Sequence, residues 1–272
     1  MIEVLASIER DAGRSSLIHG IDARVKLIVS IAVIVAAVAY PYTSSVYWFG
    51  MLFGGIFVFL WAASRLSPLT YLKRFAMVLP FGFFLIFFQI FFENPHYESF
   101  SPLFVLPLGI TVYAESVEFA SILMVKFLIC ISFVILLSST TPIYDLLRGA
   151  RRLGLPSIMV LSLGMMIRYL YVFAGMYDRV CAALATRNFH PLDTNLPYGY
   201  RIRMLGYTMG MFFIRGYEQG ERTYACMRCR GYGADSYDSL PPKPLTNPER
   251  HALIFSVMFV VAGTLGCWVL TA

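Results

Sequence analysis

The chain reads as an all-α polytopic membrane protein with about five transmembrane helices. A cytoplasmic helical coupling segment of three helices is inserted before the last span. Three observations carry that reading. Of 272 residues, 58% are apolar and only 14% charged, with mean hydropathy +0.67; globular chains average about 45–50% and about 25%. The apolar excess is gathered into long uncharged runs, the pattern of membrane-spanning helices. The net charge of +6 is localised: residues 141–250 hold fourteen Lys and Arg against eight acids, so the whole excess falls there. In a membrane protein this marks a cytoplasmic face, and no basic cluster on a soluble fold suggests nucleic-acid binding.

Residues 1–138 form a lead-in and four spans. The first 24 residues include Glu3, Glu9, Arg10, Asp11, Arg14, Asp22 and Arg24. With no leading apolar stretch, no cleavable signal peptide is expected. Span 1 runs from Leu27 to about Tyr42, where Pro41 and Thr43-Ser44-Ser45 end it. Span 2 covers about Val46 to Ala63, with Tyr47, Trp48 and Trp61 as interfacial anchors. Arg65, Lys73 and Arg74 are placed in a loop containing Ser67-Pro68, and span 3 is Phe75 to Phe92. The loop 93–116 carries Glu93, Glu98 and Glu115 but no cation; span 4 is about Val117 to Ser138.

Basic loops alternate with loops lacking cations, which places the amino terminus and residues 139–250 in the cytoplasm and the carboxyl terminus outside. Lys126 lies alone in the middle of span 4. An intramembrane cation is a functional candidate by default; the structural alternative is a bundle-facing Lys paired with a polar neighbour such as Gln89.

Residues 139–250 change character. Thr141 is the expected N-cap, with Pro142 at the first helical position, and Gly154-Leu155-Pro156 is a stop. Between them Asp145 comes early and Arg148, Arg151 and Arg152 late, matching the helix dipole. A second helix runs from Pro156 to Arg187. Its first half, Ile158 to Met166, is apolar enough for a span, but Arg168 and Asp178-Arg179 break the run. It reads as an amphipathic helix at the cytoplasmic surface. Asn188 to Pro197 is a turn, and a third helix runs from about Arg201 to Arg230. A Pro/Ser/Asp-rich linker, Gly231 to Glu249, leads to the last segment, 251–272, whose span is Ala252 to about Thr271. No β-strand is required.

Catalytic groupings are nearly absent. There is no phosphate-binding loop. The four His are scattered, and no pair of acids stands at general acid/base spacing. Cys226 and Cys229 lack the second pair or nearby His that a zinc site needs, and a helix C-terminus disfavours thiolate.

What stands out is a repeated helix end. Tyr177 to Phe189 aligns without gaps with Gly220 to Tyr232. The frames share an acid-Arg pair (Asp178-Arg179, Glu221-Arg222), an Ala (Ala182, Ala225), a terminal Arg (Arg187, Arg230), then a residue tolerant of left-handed backbone and an aromatic. Capping alone explains one such Arg, at about 0.3–1 kcal/mol, but not two matched frames. Small residues at Ala182, Ala185, Ala225 and Cys229 allow close approach of a partner, and Arg offers a planar donor fork for a carboxylate. Two copies suggest two equivalent receptors. Spacing such as Glu218-Arg222 is expected to stiffen the helix modestly.

These residues, with Ile21-Asp22-Ala23-Arg24-Val25-Lys26-Leu27 and the helix from Thr141-Pro142 to Pro156, resemble the transmembrane (T) component of energy-coupling-factor (ECF) transporters, the CbiQ/EcfT family. The similarity covers essentially the whole chain. It implies a non-catalytic scaffold in a bacterial or archaeal cytoplasmic membrane, joining two ABC-type ATPases to a membrane-embedded substrate-binding (S, or CbiM-like) protein. ATP and Mg would be bound by the ATPases, and nothing directly by this chain. The Ala-Arg-Gly signature that docks each ATPase corresponds here to Thr186-Arg187-Asn188, next to Ala185, and to Cys229-Arg230-Gly231. The first site departs at both flanks, which implies less symmetric docking and more weight on Arg230. The Tyr169-Leu170-Tyr171 and Glu218-to-Arg222 neighbourhoods lean toward the cobalt/nickel branch. The alternative from another class is a polytopic membrane enzyme or assembly factor holding anionic lipid or a phosphorylated substrate on its basic face. A channel would want polar faces on the spans, and spans 2, 3 and 5 have almost none.

Overall fold

A computed structural model describes residues 16, 18–64, 66–89, 102–105, 111–190, 196–233 and 247–269. Arg65, Glu93, Glu98, most of the 93–116 loop, and the ends of spans 3 and 5 expected beyond Gln89 and Val269 lie outside them. So does most of the 231–249 linker. Eight helices and one small hairpin are described: α1 (Ala23–Ala39), α2 (Val46–Ser64), α3 (Pro68–Gln89), β1 (Pro102–Val105), β2 (Thr111–Tyr113), α4 (Ala114–Thr140), α5 (Ile143–Arg152), α6 (Ser157–Thr186), α7 (Tyr198–Cys229) and α8 (Asn247–Val269). The architecture is all-helical apart from the antiparallel β1–β2 pair, which the sequence reading lacked.

The chain divides into two units. The first takes α1 to α5 with α8, and the second is Leu155–Lys243, holding α6 and α7. In the first, α4 is the central helix, packed against α1, α2 and α3, while α8 lies against α1 and α2. On α2 the buried positions Val46, Phe49, Phe53 and Phe57 recur every three or four residues. They form one inward stripe on a helix that is apolar all round, as a lipid-facing helix should be. The stripe meets Val33 and Ala37 of α1 and Ile122, Ile129 and Phe133 of α4 in the buried core. Rings continue it: Tyr40–Phe49 at 4.8 Å, Phe49–Phe53 at 4.4 Å and Phe57–Tyr71 at 5.2 Å between centroids. Where α3 meets α4, a Cβ on Gly82 would fall 1.7 Å from Phe127 Cζ, so only glycine permits that approach.

Three boundaries differ from expectation, one of them α8, which begins at Asn247 inside the expected linker. α3 begins at Pro68, not Phe75, because Ser67 supplies the first-turn hydrogen bonds to Thr70 and proline suits the first helical position. Lys73 and Arg74 are therefore helical rather than in a loop, and Arg74 reaches across to Ser139 Oγ at 2.5 Å. The N-cap of α5 is Pro142 rather than Thr141: its extended backbone places its carbonyl to accept from Asp145 and Leu146 N–H. The charge order on α5 is as expected, with Asp145 in the first turn and Arg151 and Arg152 in the last.

Among the described residues five helices are long and apolar enough to cross a membrane: α2, α3, α4, α6 and α8, the last three over Glu115–Thr140, Ser157–Thr186 and Glu249–Trp268. The number matches expectation, but the membership does not. Helix α1, expected as span 1, has 17 residues, or about 25 Å at about 1.5 Å per residue, at the short end of the spanning range.

Candidate functional site: the twin helix ends

The two repeated frames fold into the same terminal structure. At the end of α6, Arg187 is the C-cap (φ −90°, ψ 14°) and Asn188 turns left-handed at φ 55°. At the end of α7, Arg230 is the C-cap (φ −91°, ψ 10°) and Gly231 turns left-handed at φ 83°. Asn188 N–H donates to Ala185 O at 2.9 Å and Phe189 N–H to Leu184 O at 3.1 Å. Gly231 N–H donates to Arg228 O at 2.9 Å and Tyr232 N–H to Met227 O at 3.0 Å. Each end is a Schellman motif, in which two backbone donors beyond the helix satisfy carbonyls of its last turn. The motifs coincide bond for bond at an offset of 43 residues.

Ala185, Thr186, Arg187 and Asn188 are exposed, as are Cys229, Arg230 and Gly231. Thr186 turns its hydroxyl back to Ala183 O at 2.9 Å. Asn188 fills the role of glycine because its short side chain tolerates left-handed backbone. The departure from Ala-Arg-Gly at the first end thus changes side chains and leaves the backbone cap intact. The acid-Arg pairs serve other contacts. Arg179 Nε donates to Gly175 O at 3.1 Å, and Tyr217 O–H donates to Glu221 Oε1 at 2.8 Å. That bond to the Glu221 carboxylate pushes the Tyr217 phenol up from its ordinary value. Asp178 and Arg222 are exposed. The expected Glu218–Arg222 ion pair does not form among the described residues; Tyr217–Glu221 is the i,i+4 contact on that part of α7.

The two ends are not brought together. Phe189, just past α6, packs on Tyr200 in the first turn of α7, with ring centroids 6.2 Å apart. Further back along α6, Phe173 packs on Phe212 at 5.7 Å and lies against Gly216, and the Tyr169 hydroxyl hydrogen-bonds Thr223 Oγ1. Contacts that retreat along α6 advance along α7, so the helices are antiparallel. Tyr169 and Phe173 stand 43 residues before Phe212 and Gly216. Phe173 therefore meets its own equivalent at that offset, Gly216, as expected where an approximate two-fold axis passes between the helices. Arg187 and Arg230 each lie fourteen residues beyond it, putting them up to about 42 Å apart at about 1.5 Å per residue. Extending the 43-residue offset back from the helix ends aligns Phe173 with Gly216, but the contact between them appears only in the structure.

The other singled-out residues support the fold. Lys126 Nζ bonds the carbonyl of Tyr40, the C-cap of α1, lies 3.5 Å from Val38 O, and sits 3.9 Å over the Tyr42 ring. It takes the structural alternative, with α1 carbonyls as partners instead of Gln89. In the motif before span 1, Asp22 caps α1 by accepting from Arg24 N–H at 3.0 Å, and its carboxylate lies 3.7 Å from Arg24 Nε. Lys26 Nζ donates to Thr140 O at 3.0 Å, at the end of α4. Gly149 of α5 lets that helix lie on Ala23 and Arg24. The motif joins the ends of α1, α4 and α5. Among the described residues no three His, Cys, Asp or Glu converge as a metal site.

Residues 14–240 match the family model described as CbiQ, cobalt transport protein. That range takes in α1 to α7 and both capped helix ends. The chain belongs to this family. Among relatives, it is 24% identical to the uncharacterized protein MJ1571 of Methanocaldococcus jannaschii, over 81% of this chain and 73% of the relative. It is 29% identical to MJ1089 of the same organism, over 57% and 55%. It is 31% identical to the nickel permease LarQ of Lactiplantibacillus plantarum, over 34% and 32%. Together with the apolar helices, the family makes the chain a multi-pass membrane protein and the membrane subunit of a transporter.

Proposed function

We propose that the chain is the non-catalytic T subunit of an ECF-type importer, engaging its ATPases through its two helix ends. Each Arg-bearing cap docks one cytoplasmic ABC-type ATPase, which carries the ATP and Mg. Closure of the ATPases moves α6 and α7, and the motion reaches a membrane-embedded substrate-binding protein. The observation that supports this is the pair of superimposable, exposed Schellman caps disposed about an approximate two-fold. A two-fold pair of partners needs two equivalent receptors facing opposite ways. The family and the nickel permease relative favour cobalt or nickel as cargo.

In this reading α1 crosses the bilayer and α6 lies at the cytoplasmic face. Crossing by α6 would set Arg168 or the Asp178-Arg179 pair against lipid, whereas α1 carries no charge after Lys26. The cation pattern then puts the amino terminus and residues 139–250 inside and the carboxyl terminus outside.

The test is co-purification from membranes, wild type beside the Arg187→Glu, Arg230→Glu double variant. Recovery of an ABC-type ATPase with wild type and its loss from the variant supports docking. Wild type that brings down no ATPase overturns it.

A further inference from the structure

Among α1, α2, α4 and α8 lies a cleft of about 600 Å³, in the range that encloses a drug-sized ligand. Helices α2 and α8 form its walls. They approach where Gly263 faces Leu52 and Phe53, and a Cβ there would sit 3.6 Å from Leu52 Cδ2. The lining residues lie toward the carboxyl end of α2 and the amino end of α8, so the walls diverge from that crossing. Val29 and Val33 of α1, Ile56 and Phe59 of α2, and Phe255 and Phe259 of α8 all line it. Phe59 and Phe255 are 73% and 71% exposed. Both lips are thus apolar surface on helices that meet the bilayer, and the cleft opens onto hydrocarbon.

The cleft also has a polar end. Lys26 lines it, donating to Thr140 O at 3.0 Å and His19 O at 3.4 Å. An ammonium has three donors, so one remains. The two carboxylates near Lys26 each have an Arg of their own: Asp22 lies 3.7 Å from Arg24, and Asp145 lies 3.6 Å from Arg148. Arg250 and His251, both exposed, precede the lining residue Ala252 on the first turns of α8. An apolar cleft with an under-compensated ammonium in its lining matches one ligand chemistry, a hydrocarbon chain with an anionic head.

We propose that this cleft is a binding site for one phospholipid, its acyl chain between α2 and α8 and its phosphate at Lys26. The inference needs only a membrane-embedded bundle; it stands apart from the ATPase-docking reading and from which side of the membrane Lys26 faces. The lipid wedges two spans that would otherwise close on each other, so its loss changes the packing of α8.

The probe is phosphatidylglycerol carrying a photoreactive diazirine in its acyl chain, reconstituted in vesicles with the full-length protein and mapped by mass spectrometry. Label concentrated on the facing residues of α2 and α8, at about one lipid per chain, is the expected result. Gly55 lines the cleft with nothing within 4 Å of where a Cβ would stand, so Gly55→Phe can start a side chain there and fill the space. That variant should lose this label at least tenfold while labelling of the outer faces of α3 persists. Lys26→Met should keep the label but lose the preference for phosphatidylglycerol over phosphatidylcholine. Label spread evenly over all lipid-facing helices, or unchanged in Gly55→Phe, overturns the proposal. Should Gly55→Phe fail to fold, the wild-type map decides alone.

Discussion

Phe173 packs against Gly216, the residue 43 positions later, the same offset that separates the two repeated helix ends. The contact of a position with its own repeat-mate fixes where the two long helices cross. It leaves the same length of helix between that crossing and each terminal Arg.

The crossing can be probed by size. A Cβ on Gly216 would lie 3.5 Å from the Phe173 ring, an ordinary contact. Gly216→Ala should therefore raise thermal stability, by up to about 1 kcal/mol from helix propensity. Gly216→Phe should push the helices apart and lower uptake while each capped end still recovers its ATPase. Thermal unfolding of the purified protein and uptake by cells carrying the complex measure the two effects.

Backbone conformation at the first cap gives a second prediction. Asn188 holds φ 55°. Asn188→Gly should be neutral or slightly stabilising, whereas Asn188→Val should cost about 1–2 kcal/mol, the penalty for a branched side chain in left-handed backbone. The same Val at Gly231 should cost at least as much. Denaturation in mild detergent compares them, and equal effects of Gly and Val would show that the cap has no energetic role.

Lys126 separates a structural cation from one on a transport path. Its bond to the Tyr40 carbonyl ties the carboxyl end of α1 to α4. Lys126→Met leaves that buried carbonyl unsatisfied and should lower stability by about 1–3 kcal/mol, with residual uptake falling in step with the folded fraction. Unchanged thermal stability with abolished uptake would place Lys126 on the transport path instead.

The sequence was most informative where local chemistry decides local structure. Asn188 and Gly231 end their helices where expected because left-handed backbone admits few other residues. The uncharged runs locate α2, α4 and α8 because hydrocarbon admits few charges. It was less informative at α3: Lys73 and Arg74 look like loop residues by charge, yet their long side chains let a helix continue beneath them. The β1–β2 hairpin, with strands of four and three residues, is too short for a period-two pattern to show. The axis depends on a tertiary contact of Gly216, and a glycine's neighbours cannot be read from its own identity. Lys126 was legible as a residue needing a partner; that the partner is a helix-terminal carbonyl depends on where α1 stops.

The most direct measurement is the number of ATPase subunits bound per chain, by native mass spectrometry of the complex in wild type, Arg187→Glu, Arg230→Glu and the double variant. Two independent receptors predict a stepwise loss: two subunits in wild type, one in each single variant and none in the double. A double variant that keeps its full complement, or a wild type that binds none, would contradict docking at the twin helix ends.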